Sequence, residues 1–218
     1  FAPKNGDQVT AELRGTYAVV YTCSGAGQCA EVRALSAGGV VTLPLSPLYM
    51  TWPVSEAVTA YMHTVRALRD FWSARFGVTF SAPVRPGRDS DTQVEVHVNG
   101  GGCNGPACSG ADEMTFEKQH WAVTSEADWY PIAEASDAIY HEVTHLILGS
   151  LARAAGKPAL GSSPTPGGDP NDPKTIVRTI HEGLSDYFAA TFNGDPTICE
   201  GYVKNATLPP LLYSHDPY

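Results

Sequence analysis

The sequence predicts an α+β fold: a β-rich N-terminal part over residues 1–133, with one long helix at about 55–76, then a helical part over residues 134–218. Three observations predict it. Short β-prone runs between Gly and Ser turns fill residues 9–45, an apolar stripe at 3.6-residue spacing runs between Ser55 and Phe76, and two later stretches repeat that helical spacing. With 218 residues, 43% of them hydrophobic, the chain can build a proper core.

Val9–Leu13, Tyr17–Tyr21, Ala30–Leu35 and Val40–Leu43 read as the first strands. Ser55 is an N-cap candidate for the helix that follows. Its core face is expected to be Val58, Tyr61, Met62, Val65, Leu68, Trp72 and Phe76, with Gly77 as the stop. Gln93–Val98 alternates as a strand with one buried face, which puts His97 on the polar phase with Gln93 and Glu95, as a surface residue rather than a ligand. From about Glu134, Ala135, Ile139, Val143, Leu146, Ile147 and Leu151 mark a second helix, ended by Gly156-Lys157-Pro158. Residues 156–174 are rich in Pro and Gly and read as a long surface loop, of the length that is usually functional or mobile. Asp169, Asn171 and Asp172 in it are oxygen donors of the kind calcium takes, although a solvated loop is the commoner meaning of such a run. A third helix starts near Lys174 or Thr175 and ends at Asn193-Gly194-Asp195-Pro196.

A formal charge of −9 without a Lys/Arg cluster argues against nucleic acid or an anionic membrane as partner. No apolar run reaches the roughly 18 residues of a membrane-spanning helix. Cys23 and Cys29, and Cys103 and Cys108, bracket short loops as disulfides would, which points to an oxidising, secreted setting. A zinc knuckle is the weaker reading, because neither pair has the two-residue gap. Cys199 is left without an assigned partner. Phe1-Ala2-Pro3-Lys4 has neither a basic start nor an apolar run, so an exported chain with this N-terminus is expected to be a processed form. Asn205-Ala206-Thr207 is a glycosylation sequon.

The second helix contains His141-Glu142-Val143-Thr144-His145. Residues i and i+4 share a helix face, so both imidazoles reach one ion, while Glu142 points partly aside and is free to act as a base. Chance alone yields the motif in about one such sequence in a hundred. Two histidines need a third protein ligand and an open position for water. The third helix offers His181-Glu182-Gly183-Leu184-Ser185-Asp186, in which Glu182 or His181 can be that ligand. Asp186, one turn after Glu182, can accept the free N–H of a ligating imidazole; Asp137, one turn before His141, competes for that role.

His141-Glu-Val-Thr-His145 followed by Glu182-Gly-Leu-Ser-Asp186 resembles the gluzincin metallopeptidases, especially the thermolysin-like and fungalysin-like branches. Ala60–Gly77, Val96–Val98 and Met114–Phe116 resemble successive pieces of their N-terminal region, so the likeness covers roughly residues 50–200. It implies a zincin-like fold, an active-site helix between two subdomains, a zinc ion held by His141, His145 and Glu182 in preference to His181, and endopeptidase action on peptide or protein substrates with Glu142 as general base. Where the family places an Asn-Ala-aromatic edge segment to bind substrate backbone, this chain has Pro106-Ala107-Cys108, leaving Ala107 and the nearby Asn104 as the substrate-binding candidates. The family also has a helical C-terminal subdomain that donates a His to the carbonyl oxyanion. Ser214-His215-Asp216-Pro217-Tyr218 resembles the start of that segment, which makes His215 and Tyr218 the candidates and implies a shortened or processed chain with a separate C-terminal fragment of the same precursor as partner. The alternative is a catalytically impaired, zinc-stabilised remnant that binds peptide or a partner protein.

Overall fold

In the computed structural model, residues 9–23, 28–37, 40–42, 54–83, 92–103, 107–117, 132–157 and 172–196 are described. Asn104, Asp169, Asn171, Cys199, Asn205, His215 and Tyr218 lie outside them. The described residues form eight strands: β1 (Val9–Glu12), β2 (Ala18–Cys23), β3 (Cys29–Glu31), β4 (Arg33–Ala37), β5 (Val40–Thr42), β6 (Val94–Gly100), β7 (Ala107–Ser109) and β8 (Glu113–Glu117). They form a three-stranded sheet, β1-β4-β5, and a five-stranded sheet in the order β3-β2-β6-β8-β7. In the larger sheet β2, β6 and β8 are parallel, and the hairpin partners β3 and β7 run antiparallel at the two edges.

β6 is the middle strand, and its alternation shows why. Val94, Val96 and Val98 are fully buried, while Glu95 and His97 between them face the other way. Ala18 and Val20 of β2 and Met114 and Phe116 of β8 join the same buried side. Gln93, expected at the surface, is buried because its Nε2 donates to the Gly15 carbonyl at 2.7 Å and pins the start of β6 to the turn before β2. Both short cysteine pairs are disulfides. Cys23–Cys29 closes the β2–β3 hairpin, and Cys103–Cys108 ties the end of β6 to the edge strand β7.

Three helical segments run on from one another: α1 (Val54–Arg66), a π-helical stretch (Ala67–Ser73) and α2 (Ala74–Phe76), which Gly77 ends in a left-handed conformation, φ 65°. The expected core face is met in part: Leu68 and Trp72 are buried, and Tyr61 and Val65 pack against the core. Ala57, Ala60, Thr64, Ala67, Leu68, Phe71 and Trp72 are buried, whereas Met62 is 62% and Phe76 51% exposed. Small alanines let α1 lie close on β2 and β6, and the i→i+5 bonding after Arg66 turns Phe71 inward, an effect that 3.6-residue counting does not contain.

After a 3₁₀ turn (Ile132–Glu134) comes α3 (Ser136–Ala154), and then α4 (Pro173–Asn193). Ile139, Val143, Leu146 and Ile147 bury the expected face of α3, but Leu151 is largely exposed. Near its C-terminal end, Ser150 Oγ accepts from the Ser81 N–H at 3.1 Å, and Arg153 donates to the Ala111 carbonyl at 3.1 Å. The first bond ties α3 to the segment that follows α2, and the second ties it to the turn between β7 and β8. Asp172 caps α4 by accepting from the Lys174 N–H at 3.0 Å, and Gly194 ends it at φ 74°. Phe188 and Phe192 of α4 close an aromatic cluster with Phe71, Trp72 and Tyr140, with ring centroids 4.1–4.7 Å apart for Tyr140–Phe192, Trp72–Phe188 and Phe71–Phe192. One hydrophobic cluster therefore runs from the sheet through α1 and α3 to Ala189 of α4.

Candidate metal centre

α3 and α4 pack along each other, and that packing assembles the site. His141 and His145 stand one turn apart on α3; Glu182 comes from α4. The Nε2 atoms of the two histidines are 2.9 Å apart, and Glu182 Oε2 lies 3.3 Å from the first and 3.2 Å from the second. A divalent ion with tetrahedral bonds of about 2.1 Å separates its ligand atoms by roughly 3.4 Å. The three atoms therefore fit one ion after shifts of a few tenths of an ångström. His141, His145 and Glu182 form one of the groups with metal-ligand geometry among the described residues.

The opposite edges of the two imidazoles are held by different partners. His141 Nδ1 is 2.7 Å from Asp186 Oδ1. Asp137 takes no part in that bond, since its Oδ1 accepts from the Ala138 N–H at 2.9 Å. His145 Nδ1 lies 3.1 Å from Ser185 Oγ. The Ser185 hydroxyl proton goes to the His181 carbonyl at 3.0 Å, so its oxygen is left to accept from the His145 Nδ1–H. Both histidines thus keep their Nδ1 protons and turn Nε2 toward Glu182. Ser185 was not singled out from the sequence; its signal was its place one turn after His181 on the face that carries Glu182 and Asp186.

His181 lies on the far side of His145, with its Nδ1 3.2 Å from His145 Nδ1 rather than near the Nε2 atoms. Burial, then the charge of His145, lowers its pKa to about 4, which keeps it neutral. For His141 burial is the largest single influence and opposes the charge. The hydrogen bonds to Asp186 and Glu182 outweigh it and raise its pKa to about 10. Burial raises Glu182, but the hydrogen bond from His141 and the nearness of both imidazoles overcome that and carry it well below the usual carboxylate range. Without an ion, a proton on His141 Nε2 links the three groups.

Glu142 is buried, only 6% exposed, and its Oε2 has no hydrogen-bond partner. A buried carboxylate oxygen without a partner is costly, and Glu142 follows directly on His141 in the sequence. The spacing of the three atoms fits a metal ion, and the orphaned oxygen belongs to the residue next to one of them. Ala107 lies on β7, the edge strand of the sheet, which packs against α3.

No family model matches the chain, and no curated protein matches it in sequence. In three dimensions it is similar to the precursor of protealysin, a metalloproteinase from Serratia proteamaculans, with a TM-score of 0.50 at 13% identity. The likeness covers 90% of this chain and 52% of that one, so the chain spans about half the length of its structural neighbour. At that identity it speaks for the fold alone: the chain has a metalloprotease-like fold.

Proposed function

We propose that the chain is a zinc-dependent metalloendopeptidase of the gluzincin type, with thermolysin-like and fungalysin-like enzymes as its relatives. The observation that carries this reading is the triangle of His141 Nε2, His145 Nε2 and Glu182 Oε2, with sides of 2.9, 3.2 and 3.3 Å, beside the unpartnered oxygen of Glu142. A zinc ion bound there supplies Lewis acidity, which acidifies water and polarises a carbonyl. His141 and His145 present lone pairs on Nε2 because Asp186 and Ser185 hold their Nδ1 protons. Glu182 contributes negative charge that offsets half of the ion's. Glu142 takes a proton from the attacking water and passes it to the leaving amine.

The edge position of β7 suits a peptide substrate, which adds to an open strand by main-chain hydrogen bonds. Ala107 is the described residue through which we expect that pairing, and Asn104 remains a candidate from the sequence. His215 and Tyr218 remain our candidates for the oxyanion. The two disulfides support an extracellular location. No helix among the described residues is long and apolar enough to cross a membrane.

A second reading has its own support. On α4, Ile176, Val177, Ile180, Leu184 and Tyr187 are all exposed along the side turned away from α3. A helix apolar on two sides is normally covered on both. That favours a zinc-holding body that binds a partner chain, and a catalytically impaired remnant is the form of it that hydrolyses nothing. Cleavage of casein or a quenched peptide, stopped by phenanthroline and abolished in Glu142→Gln, is the result expected of the endopeptidase. Stoichiometric zinc without cleavage would select the binding body, and a protein without zinc overturns both.

A further inference from the structure

The side of the five-stranded sheet turned away from the helices carries a second set of ligand-type side chains. β6 sends Glu95 and His97 there, two residues apart, and β8 sends Glu113, which stands opposite Glu95 in the parallel ladder. One ligand atom from each residue lies within 4.8 Å of the others. His97, expected from its strand phase to be a surface residue, is 20% exposed in its side chain, and its Nε2 is buried with no hydrogen-bond partner. That nitrogen lies 3.6 Å from Glu95 Oε2, too far for a hydrogen bond but close to the roughly 3.4 Å that separates tetrahedral ligand atoms on one ion. The ring is already oriented. It stacks on Tyr21, with centroids 5.2 Å apart and planes 13° apart, and its Nδ1 is 3.7 Å from Cys23 Sγ.

We propose that Glu95, His97 and Glu113 form a second site for a divalent transition ion, separate from the His141 cluster, that staples β6 to β8. Two carboxylates and a neutral imidazole balance a double positive charge. The imidazole favours zinc or a similar first-row ion over calcium or magnesium. Cys23 and Cys29 also lie within reach of His97, but their disulfide removes both thiolates as ligands. A buried imidazole nitrogen without a hydrogen-bond partner next to a carboxylate is unusual in a folded protein. Coordination gives it a partner and leaves the solvent side open to water.

Zinc content measured after equilibrium dialysis under non-reducing conditions tests this. The unaltered chain is expected to hold two zinc ions, and His141→Ala/His145→Ala to retain one. Adding His97→Gln to that double variant removes the remaining ion, and Glu113→Gln weakens it by about tenfold or more. His97→Gln in the otherwise unaltered chain lowers the count from two to one, a reading that holds even if the double variant fails to fold. Cobalt at the site gives visible d–d absorption without a thiolate charge-transfer band. Overturning results are no zinc retained by a folded double variant, uptake indifferent to both His97→Gln and Glu113→Gln, or uptake only after disulfide reduction with a thiolate band. Loss of one ion with His145→Ala alone reads the His141 cluster, so failure of that site and failure of this one are separable.

Discussion

Ser185 and Asp186, adjacent on α4, each hold the Nδ1 edge of a different histidine on α3, at 3.1 and 2.7 Å. Neighbours in a helix point about 100° apart, so they reach two rings one turn apart rather than the same one. Removing such a partner typically costs 10–100-fold in metal affinity. Asp186→Asn is expected to weaken metal binding by that factor in competition with a chromophoric chelator. Ser185→Ala should show a smaller loss in the same direction, because the Nδ1–H then shifts to a poorer acceptor. Unchanged affinity in both variants would deny them any orienting role. Glu142 calls for the opposite expectation on stability. Its unpartnered oxygen is a burden to the fold, so Glu142→Gln should leave the thermal midpoint of the metal-free protein equal or higher, while peptide hydrolysis falls by about 10²–10⁴-fold. A lower midpoint together with retained activity would contradict both halves of that assignment.

At the scale of elements, Glu182 can meet His145 only because α4 is anchored elsewhere along its length. Phe188 and Phe192, farther along the helix from Glu182, pack against Phe71, Trp72 and Tyr140, so the aromatic cluster sets the angle and depth at which α4 crosses α3. Phe71 is 2% exposed and sits at the centre of that cluster. Truncating a buried Phe to Ala costs about 3–5 kcal/mol. Phe71→Ala should lower stability by that amount in denaturant unfolding and also weaken metal binding, although its ring touches no ligand. A stability loss with unchanged metal affinity would separate the cluster from the site. The histidine pair was legible because i and i+4 are neighbours by local geometry alone. The helix stops at Gly77 and Gly194 were legible for the same reason, since a left-handed residue after a helix favours glycine. The buried face of the first helix was legible only in part: Leu68 and Trp72 lie in the core as expected, Met62 and Phe76 do not. A π-helical stretch answers to what it packs against, so Met62 and Phe76 ended in solvent and Phe71 in the core.

Across the whole molecule, what escaped sequence reading is non-local pairing. Alternation in Gln93–Val98 marks a two-faced strand, but nothing local says that β6 lies parallel between β2 and β8. His97 was therefore read by its phase alone, without Glu113 opposite its neighbour or Tyr21 beneath its ring. At the His141 cluster the same long-range assembly brings a base and two acids together, and that couples the fold to pH. The pKa of His141 rises from 6.5 to about 10 in the metal-free protein. A raised pKa means that the stabilisation from its ion pairs is complete below pH 6.5, the unfolded value, and is lost as pH climbs through about 10. An ion held by the same Nε2 must displace that proton, so ion and proton compete for one position. Metal uptake near neutral pH is then expected to release about one proton, and affinity to tighten about tenfold per pH unit between pH 7 and the His141 pKa. An ion at a thousand times its dissociation constant stabilises the fold by about 4 kcal/mol. The fall in thermal midpoint on adding a chelator should therefore be larger at pH 8 than at pH 6. Calorimetry in buffers of different ionisation enthalpy counts the released protons. A count of zero, with an affinity independent of pH, would mean that His141 is already neutral before the ion arrives and that Asp186 and Glu182 do not hold its charge.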